Sequence, residues 1–421
     1  MPDRLLDSSD LARPLAALRA AEDAFARSQA ATPEGRQPVH TVYVAAQHFR
    51  HDAAAEHGGR ALEALAAYAG APSYFAAVLG IDAGIAEAVH ARMTAKLRRE
   101  PVEDLRVDFE DGFGTRPDAE EDGAAVAVAE EMARGMERGA LPRGVGVRVR
   151  SLAGETRERC LRTLGLFLAR LLDATGGRLP GGFVVTLPKV TVPEEVALFA
   201  AALARLEELR GLAAGTLRFE TMVEVPAAVI GPDGRCPLPR WVEAAQGRMT
   251  GVHLGVYDYT ASLGIAAPHR GLRHPACGFA RHVMQVALAG TGVWLSDGST
   301  AALPVPVHGS GAASERERDA DRAAVLGAWR RHFDDVTHSL EHGFYQGWDL
   351  HPAQLVTRYA AVFAFFLRAW DTTVAELRRI RERGSDDPHA ADALLSFVRR
   401  GVDCGAFDAE EAAAAGGLSG R

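Results

Sequence analysis

Short apolar runs alternate with longer stretches of helical spacing along most of the chain. The first run, His40 to Ala45, is β-branched and bounded by Pro38 and a polar stretch, and it predicts a strand. Runs of the same kind lie at Leu105 to Glu110, Val145 to Arg150, Phe183 to Leu187, Leu217 to Glu224, Met249 to Val256 and Val293 to Ser296. A weaker one sits at Tyr345 to Asp349. Their ends usually recur at about 35 to 40 residues, the length of one βα unit. Two steps are longer. The first carries helical spacing at Ala61 to Ala71 and Ile85 to Arg99; the last holds a Gly/Ser loop, Gly309 to Ser314, and a charged helix, Glu315 to His342. Ahead of the first strand, Leu11, Leu15, Leu18, Ala21 and Phe25 predict one or two helices, ending in a turn at Thr32 to Gly35.

Eight strands alternating with helices at this step predict a (β/α)8 barrel, the TIM-barrel form of the α/β class. A doubly wound open sheet would call for a glycine-rich turn after the first strand, and Val44 to His48 holds none. The expected organisation is an N-terminal helical extension over 1–38, a catalytic barrel over 39–352, and a C-terminal helical cap or assembly region over 353–421. In that last region Tyr359, Phe363, Phe365, Phe366 and Trp370 fall on more than one helical face. Such a run predicts a homo-oligomer in which a neighbour covers it, with a helix buried inside its own chain as the alternative.

A length of 421 residues suits one large α/β domain with helical additions, or at most two or three domains. The net charge of -8 argues against nucleic acid or an anionic membrane as the main partner, and leaves a small anionic substrate open. Cys160, Cys236, Cys277 and Cys404 lie far apart with no metal-ligand spacing, as reduced thiols would. The first residues lack the continuous apolar core of a signal peptide, and no apolar run approaches a membrane span, so the expected location is cytoplasmic.

The polar groups gather where a barrel places chemistry, at the carboxyl ends of strands. Strand two ends in Asp108-Phe-Glu-Asp111, with Asp108 and Glu110 on the face opposite Leu105, Val107 and Phe109. Carboxylates so close repel unless a cation or proton sits between them. A helix N-cap at Asp111 with a solvated turn is the alternative. Strand three sets Arg148 and Arg150 opposite three valines, and an arginine inside a barrel needs an anion. That anion is either a carboxylate of strand two or a substrate carboxylate or enolate gripped by the guanidinium fork.

Strand five carries Glu220, Met222 and Glu224 on one face, and strand six ends in Asp258, 34 residues beyond Glu224. Two carboxylates from adjacent strand ends suit Mg²⁺. Salt bridges to Lys189 or Arg148, or an acid/base pair without metal, are the alternatives. Lys189, after Leu187-Pro188, suits either a Schiff base or an ion pair among these acids. His253 reads as a hydrogen-bonded core histidine. The chain has no nucleophile elbow, phosphate loop or zinc-protease motif.

Taken in order, these segments resemble the citrate lyase β-subunit-like branch of the HpcH/HpaI aldolase superfamily, pyruvate-type barrels that include malate synthase-like enzymes. His40 to Val44 is similar to that family's first strand, Asp108-Phe-Glu-Asp111 to its Asp-Leu-Glu-Asp motif, and Gly146 to Val149 to its arginine strand. Leu187-Pro-Lys189, Met222 to Pro226, and Gly255 to Tyr259 with Leu263-Gly264 resemble its Leu-Pro-Lys, metal-glutamate and metal-aspartate segments. Ser296 to Gly298, Gly343 to Gly347 and His351 to Gln354 resemble its closing elements, so the likeness spans residues 40 to about 365.

The resemblance implies Mg²⁺, or Mn²⁺ in its place, held by Glu224 and Asp258. It sets Arg148 on a substrate oxygen, Lys189 in the substrate pocket, and Asp108, Glu110 and Asp111 in the acid/base and water-ordering shell. It implies a carbon–carbon lyase or aldolase that works through an enolate on a small α-keto carboxylate or a coenzyme A thioester. The chain departs from the family in its N-terminal extension, its two insertions, its longer C-terminal region and the loop Ala45 to Arg50, which lacks a proline-glycine entry. A class II pyruvate-type aldolase acting on free aldehydes is the nearest alternative. A non-catalytic ligand-binding barrel is a more distant one, against which the full set of strand-end carboxylates argues.

Overall fold

A computed structural model of the chain describes residues 11–29, 35–311, 314–383 and 388–416. Helix α1 (Ala12–Gln29) precedes strand β1 (His40–Ala45). The long first step holds three helices rather than two: α2 (Ala53–Ala69), α3 (Pro72–Leu79) and α4 (Ala83–Arg99). Pro72, fixed in φ and without an N–H, opens α3 and separates it from α2.

The alternation then runs β2 (Asp104–Asp108), α5 (Asp118–Arg138), β3 (Gly144–Arg148), α6 (Arg157–Thr175), β4 (Phe183–Leu187), α7 (Pro193–Arg210) and β5 (Arg218–Val223). It continues through α8 (Leu238–Ala244), β6 (Met249–Leu254), α9 (Val256–Ser262), α10 (Pro275–Leu288), β7 (Trp294–Ser299), α11 (Glu315–Glu341) and β8 (Gln346–Asp349). Helices α12 (Gln354–Arg383), α13 (Pro388–Cys404) and α14 (Ala409–Gly416) complete the described chain. The strands close as a parallel barrel in chain order, with β8 returning to β1. The fold is the (β/α)8 barrel that the spacing predicts.

Period-two alternation divides each strand between two environments. The outward set, including Val107, Val147, Val185, Phe219 and Val252, is buried beneath the helices. Phe219 meets Phe199 of α7 edge to face at 5.2 Å, and Phe183 stacks on Phe167 of α6 at 6.0 Å. Truncating a fully buried ring such as Phe219 to alanine would cost about 3–5 kcal/mol.

The inward set is polar, and its members reach across the barrel. Arg106 of β2 donates to Glu220 of β5 at 2.9 and 3.1 Å, and to Thr186 of β4 at 3.1 Å. It also pairs with Asp104. His253 of β6 lies 2.9 Å from Glu220 and accepts the Trp348 indole N–H at 2.8 Å. The strands approach so closely beside this layer that a Cβ on Gly146 would fall 1.7 Å from the Val184 carbonyl oxygen.

The seam where β1 meets β8 is fastened on the outside by a buried aspartate. Asp349 meets His40 at 2.8 Å, His332 of α11 at 3.0 Å and Arg358 of α12 at 2.9 Å. Burial opposes its charge, but Arg358 and the two histidines hold its carboxyl well below the usual range. Helix α12 follows β8 and packs on α11 and α4. Much of its aromatic run is covered within the chain, the second of the two covers expected. Tyr359, Phe363 and Phe366 are buried within their own chain, with Phe366 against Phe397 of α13 and Phe407, while Phe365 and Trp370 are half-buried.

Candidate active site

The carboxyl ends of the strands surround a cavity of about 470 Å³ that Asp108, Arg148, Glu224 and Asp258 line. Strand β2 ends at Asp108, two residues earlier than its apolar pattern predicts, because the side chain turns the backbone. The Asp108 carboxylate accepts the Glu110 N–H at 2.9 Å and the Gly112 N–H at 2.7 Å. It also receives Arg148 Nε at 2.7 Å and Nη2 at 2.6 Å. Both oxygens are thus doubly engaged, which leaves Asp108 no free lone pair directed at a substrate proton. In this arrangement Asp108 holds Arg148 and the turn after β2.

Arg148 lies with its guanidinium 4.7 Å from the centre of the Tyr43 ring, and burial opposes its charge while Asp108 keeps it protonated. Its remaining nitrogen, Nη1, is 3.4 Å from Glu110 and 3.9 Å from Asp111. Arg150, expected on the same face, turns away once the strand ends at Arg148, and bonds Glu121 of α5 at 2.8 Å. Asp111 caps no helix, since α5 begins only at Asp118.

Lys189 follows β4 with φ of +53°, a left-handed conformation that costs a residue with a Cβ of order 1 kcal/mol. That turn aims its backbone N–H at Glu224 Oε2, 2.8 Å away. Its ammonium pairs with Glu110, lies 2.9 Å from Asp111 and reaches within 3.6 Å of Asp258. Burial opposes the charge, yet Glu110 and Asp111 outweigh it and hold Lys189 above its usual value. In this structure the amine is an ion-pairing group. In Glu110 burial prevails over Arg148 and Lys189 and raises the carboxyl, and its buried Oε2 accepts no hydrogen bond. Asp111, more exposed, is lowered: burial raises it, but Lys189 and Arg148 outweigh that.

Glu224 follows β5 and is 3% exposed. Burial pushes its pKa up to about 7 against the pull of Arg148 and Lys189, with Glu110 adding to the rise. No cation forms an ion pair with it among the described residues. The carboxylate fits because residue 255 is glycine: a Cβ there would come 2.2 Å from Glu224 Cγ and 2.7 Å from its Oε1. Asp258 stands in the first turn of α9 rather than at a strand end, with its side chain 47% exposed toward the cavity.

Among the described residues, no three His, Cys, Asp or Glu side chains come together as metal ligands. A buried, cation-poor carboxylate beside a half-exposed one fits Mg²⁺, which takes one or two carboxylates and fills the rest of its shell with water and substrate oxygens. It does not fit a closed zinc site.

The structure therefore brings Asp108, Glu110, Asp111, Arg148, Lys189, Glu224 and Asp258 to one mouth. Two of its lining residues were missed in the sequence. Tyr43 and Trp348 form the floor, with ring centres 5.1 Å apart. Strand parity offers a signal for Tyr43, which shares its inward side with Thr41 and Ala45.

Comparison with known proteins adds the following. The family described as "Domain of unknown function (DUF6986)" matches residues 18–421. Curated protein sequences give no significant match. Among solved structures, a citrate lyase from Burkholderia xenovorans LB400 aligns with a TM-score of 0.53 at 18% identity, over 77% of this chain and 91% of that one. A Haloferax volcanii malate synthase aligns with a TM-score of 0.48 at 14% identity, over 90% of this chain and 99% of that one. At such identity the citrate lyase likeness establishes a shared barrel fold, in keeping with the resemblance drawn from the motifs.

Proposed function

The chain belongs to the DUF6986 family, and from that premise and the geometry of the mouth we propose that it is a magnesium-dependent carbon–carbon lyase or aldolase. Its substrate is a small α-keto carboxylate or an acyl thioester, and the bond made or broken lies next to a carbonyl. The observation that carries this reading is Glu224, a nearly buried carboxylate with its pKa pushed up to about 7, facing the same cavity as Asp258 and Arg148. A desolvated carboxylate with a free approach is a costly feature for a binding barrel, and it is what a cation site requires.

Glu224 and Asp258 would hold the ion. Once bound, a divalent cation draws electron density from a carbonyl oxygen and favours enolate character at the adjacent carbon. Arg148, fixed by Asp108 and by the Tyr43 ring, offers Nη1 to an oxygen that gains negative charge, and its orientation is set before substrate arrives. Glu110 is the group best suited to carry a proton, because it is buried, raised, and without a hydrogen bond at Oε2, which lies 3.4 Å from Arg148 Nη1. Lys189 supplies positive charge at the entrance and keeps Asp111 ionised. Trp348 and Tyr43 close the floor against water from below.

The fold shared with a citrate lyase supports carbon–carbon bond chemistry as the general kind. The deciding experiment assays a panel of α-keto acids and acyl thioesters with Mg²⁺, with and without chelator. Turnover of at least one member that chelator abolishes and Mg²⁺ restores is expected. Equal turnover with chelator present would refute the metal-dependent reading, and thioester consumption separates the lyase from an aldolase using free aldehydes.

A further inference from the structure

The opposite end of the barrel holds a smaller and more enclosed space of about 190 Å³. Gln37 and Val39 enter it from just before β1, Trp294 from the start of β7, and Tyr345 from just before β8. Helices α12 and α13 cover it, with Phe366 on one side and Arg400 on the other. It lies far along the strands from the mouth and shares no lining residue with it.

Arg400 is the unusual member. Arg106, Arg148, Arg281 and Arg358 are each set deep in the protein, and each meets a carboxylate. Arg400 is partly buried, yet its hydrogen bond goes to a neutral amide, Gln37 Oε1 at 2.8 Å, and no carboxylate forms an ion pair with it among the described residues. Its guanidinium lies 4.2 Å from the Tyr345 ring centre and 5.7 Å from that of Trp294. Burial lowers its pKa, and Tyr345 and Asp403, which raise it, do not make up the loss. A guanidinium beside aromatic rings, with donors left over, is placed to meet a planar anion.

The remaining walls settle what that anion carries. Leu340, Val362 and Phe366 present apolar surface beside the two rings. An apolar cavity of about 150 Å³ accommodates benzene, so this one has room for a six-membered ring and one small substituent. Asp403, one turn beyond Arg400, also lines the space and would repel an anion. Its influence gives the site a second handle of opposite sign.

We propose that this cavity is a second ligand site, separate from the mouth, and that it takes a small aromatic carboxylate, with the ring against Trp294 and Tyr345 and the carboxylate on Arg400. The test is a calorimetric titration of the intact chain with benzoate, and with benzamide as its neutral counterpart. Benzoate is expected to bind at least tenfold more tightly than benzamide. Arg400→Gln should weaken benzoate at least tenfold and leave benzamide unchanged, while Asp403→Asn should tighten benzoate. If Arg400→Gln fails to fold, the Asp403→Asn result decides alone. Equal affinity for both compounds, no binding of benzoate at millimolar concentration, or benzoate binding that neither variant alters would overturn the proposal, the last by placing the anion at the mouth.

Discussion

Glu220 on β5 and Glu224 just after its end stand four residues apart and point into the same barrel, yet their carboxyls are driven in opposite directions. In both, burial raises the pKa. In the middle of the barrel Arg106, His253 and Thr186 reverse it and hold Glu220 far below its usual value. At the mouth Arg148 and Lys189 pull on Glu224 without prevailing, and it rises to about 7. The difference lies in what each carboxylate owns. Glu220 has a guanidinium of its own, whereas the two cations nearest Glu224 are committed to Asp108, Glu110 and Asp111. A buried charge with its partner built in is structure, and one whose partner must arrive from outside is a site.

Removing a built-in partner should have the largest effect. Glu220→Gln would leave Arg106 facing Asp104 alone in the middle of the barrel, at a cost of about 3–5 kcal/mol. A large fall in thermal midpoint, unaffected by Mg²⁺, is expected. Loss of less than about 1 kcal/mol would erase the contrast between the two layers.

Glu224→Gln should act in the other direction. The folded-state pKa of Glu224 is raised to about 7 from 4.5. The stability tied to its protonated form is therefore fully present below the unfolded value and is lost as pH rises through about 7. Without metal, the variant and the parent should melt alike near pH 4.5. At pH 8 the variant should be the more stable by up to about 3 kcal/mol. A variant that melts lower than its parent at pH 8 would contradict this.

Arg148→Lys keeps a charge but satisfies only one oxygen of Asp108, and should cost roughly 1–2 kcal/mol. With any substrate in hand, turnover should fall roughly 100-fold, and more than binding weakens. Near-native turnover would make Arg148 a structural partner of Asp108 and nothing else. The smallest effect on stability belongs to Glu110→Gln, less than about 1 kcal/mol, since it exchanges one carboxyl oxygen for an amide without changing shape. Its signature is kinetic: the limb of the pH–rate profile that reports a raised carboxyl should disappear. A profile identical to the parent's would take the proton-carrying role away from Glu110.

Much of this was legible in the sequence because strand periodicity carries it. Eight apolar runs at a regular step give the barrel, and parity on β5 puts Glu220, Met222 and Glu224 on one side. What parity could not give is where strands stop. Asp108 ends β2 early by accepting two backbone N–H groups, and β6 ends at Leu254, so that Asp258 belongs to a helix. Nor could it rank the acids, because a carboxylate's part depends on which cations are already taken. Asp108 proved saturated, while Glu110 keeps one oxygen without a hydrogen bond, a distinction that rests on individual bonds. The aromatic run of α12 left its cover open for a related reason. Its cover comes from α13 and from Phe407, and a pattern along one helix does not say which element will meet it.

Whether the partner missing from Glu224 is a divalent cation is measured directly by a thermal-shift titration with Mg²⁺ at pH 8. Ligand that binds the folded state alone adds about 2.7 kcal/mol at a hundredfold excess over its dissociation constant. The parent chain should therefore melt progressively higher as Mg²⁺ is added, while Glu224→Gln and Asp258→Asn stay flat. The same shift in all three proteins, or none in the parent, would contradict the account.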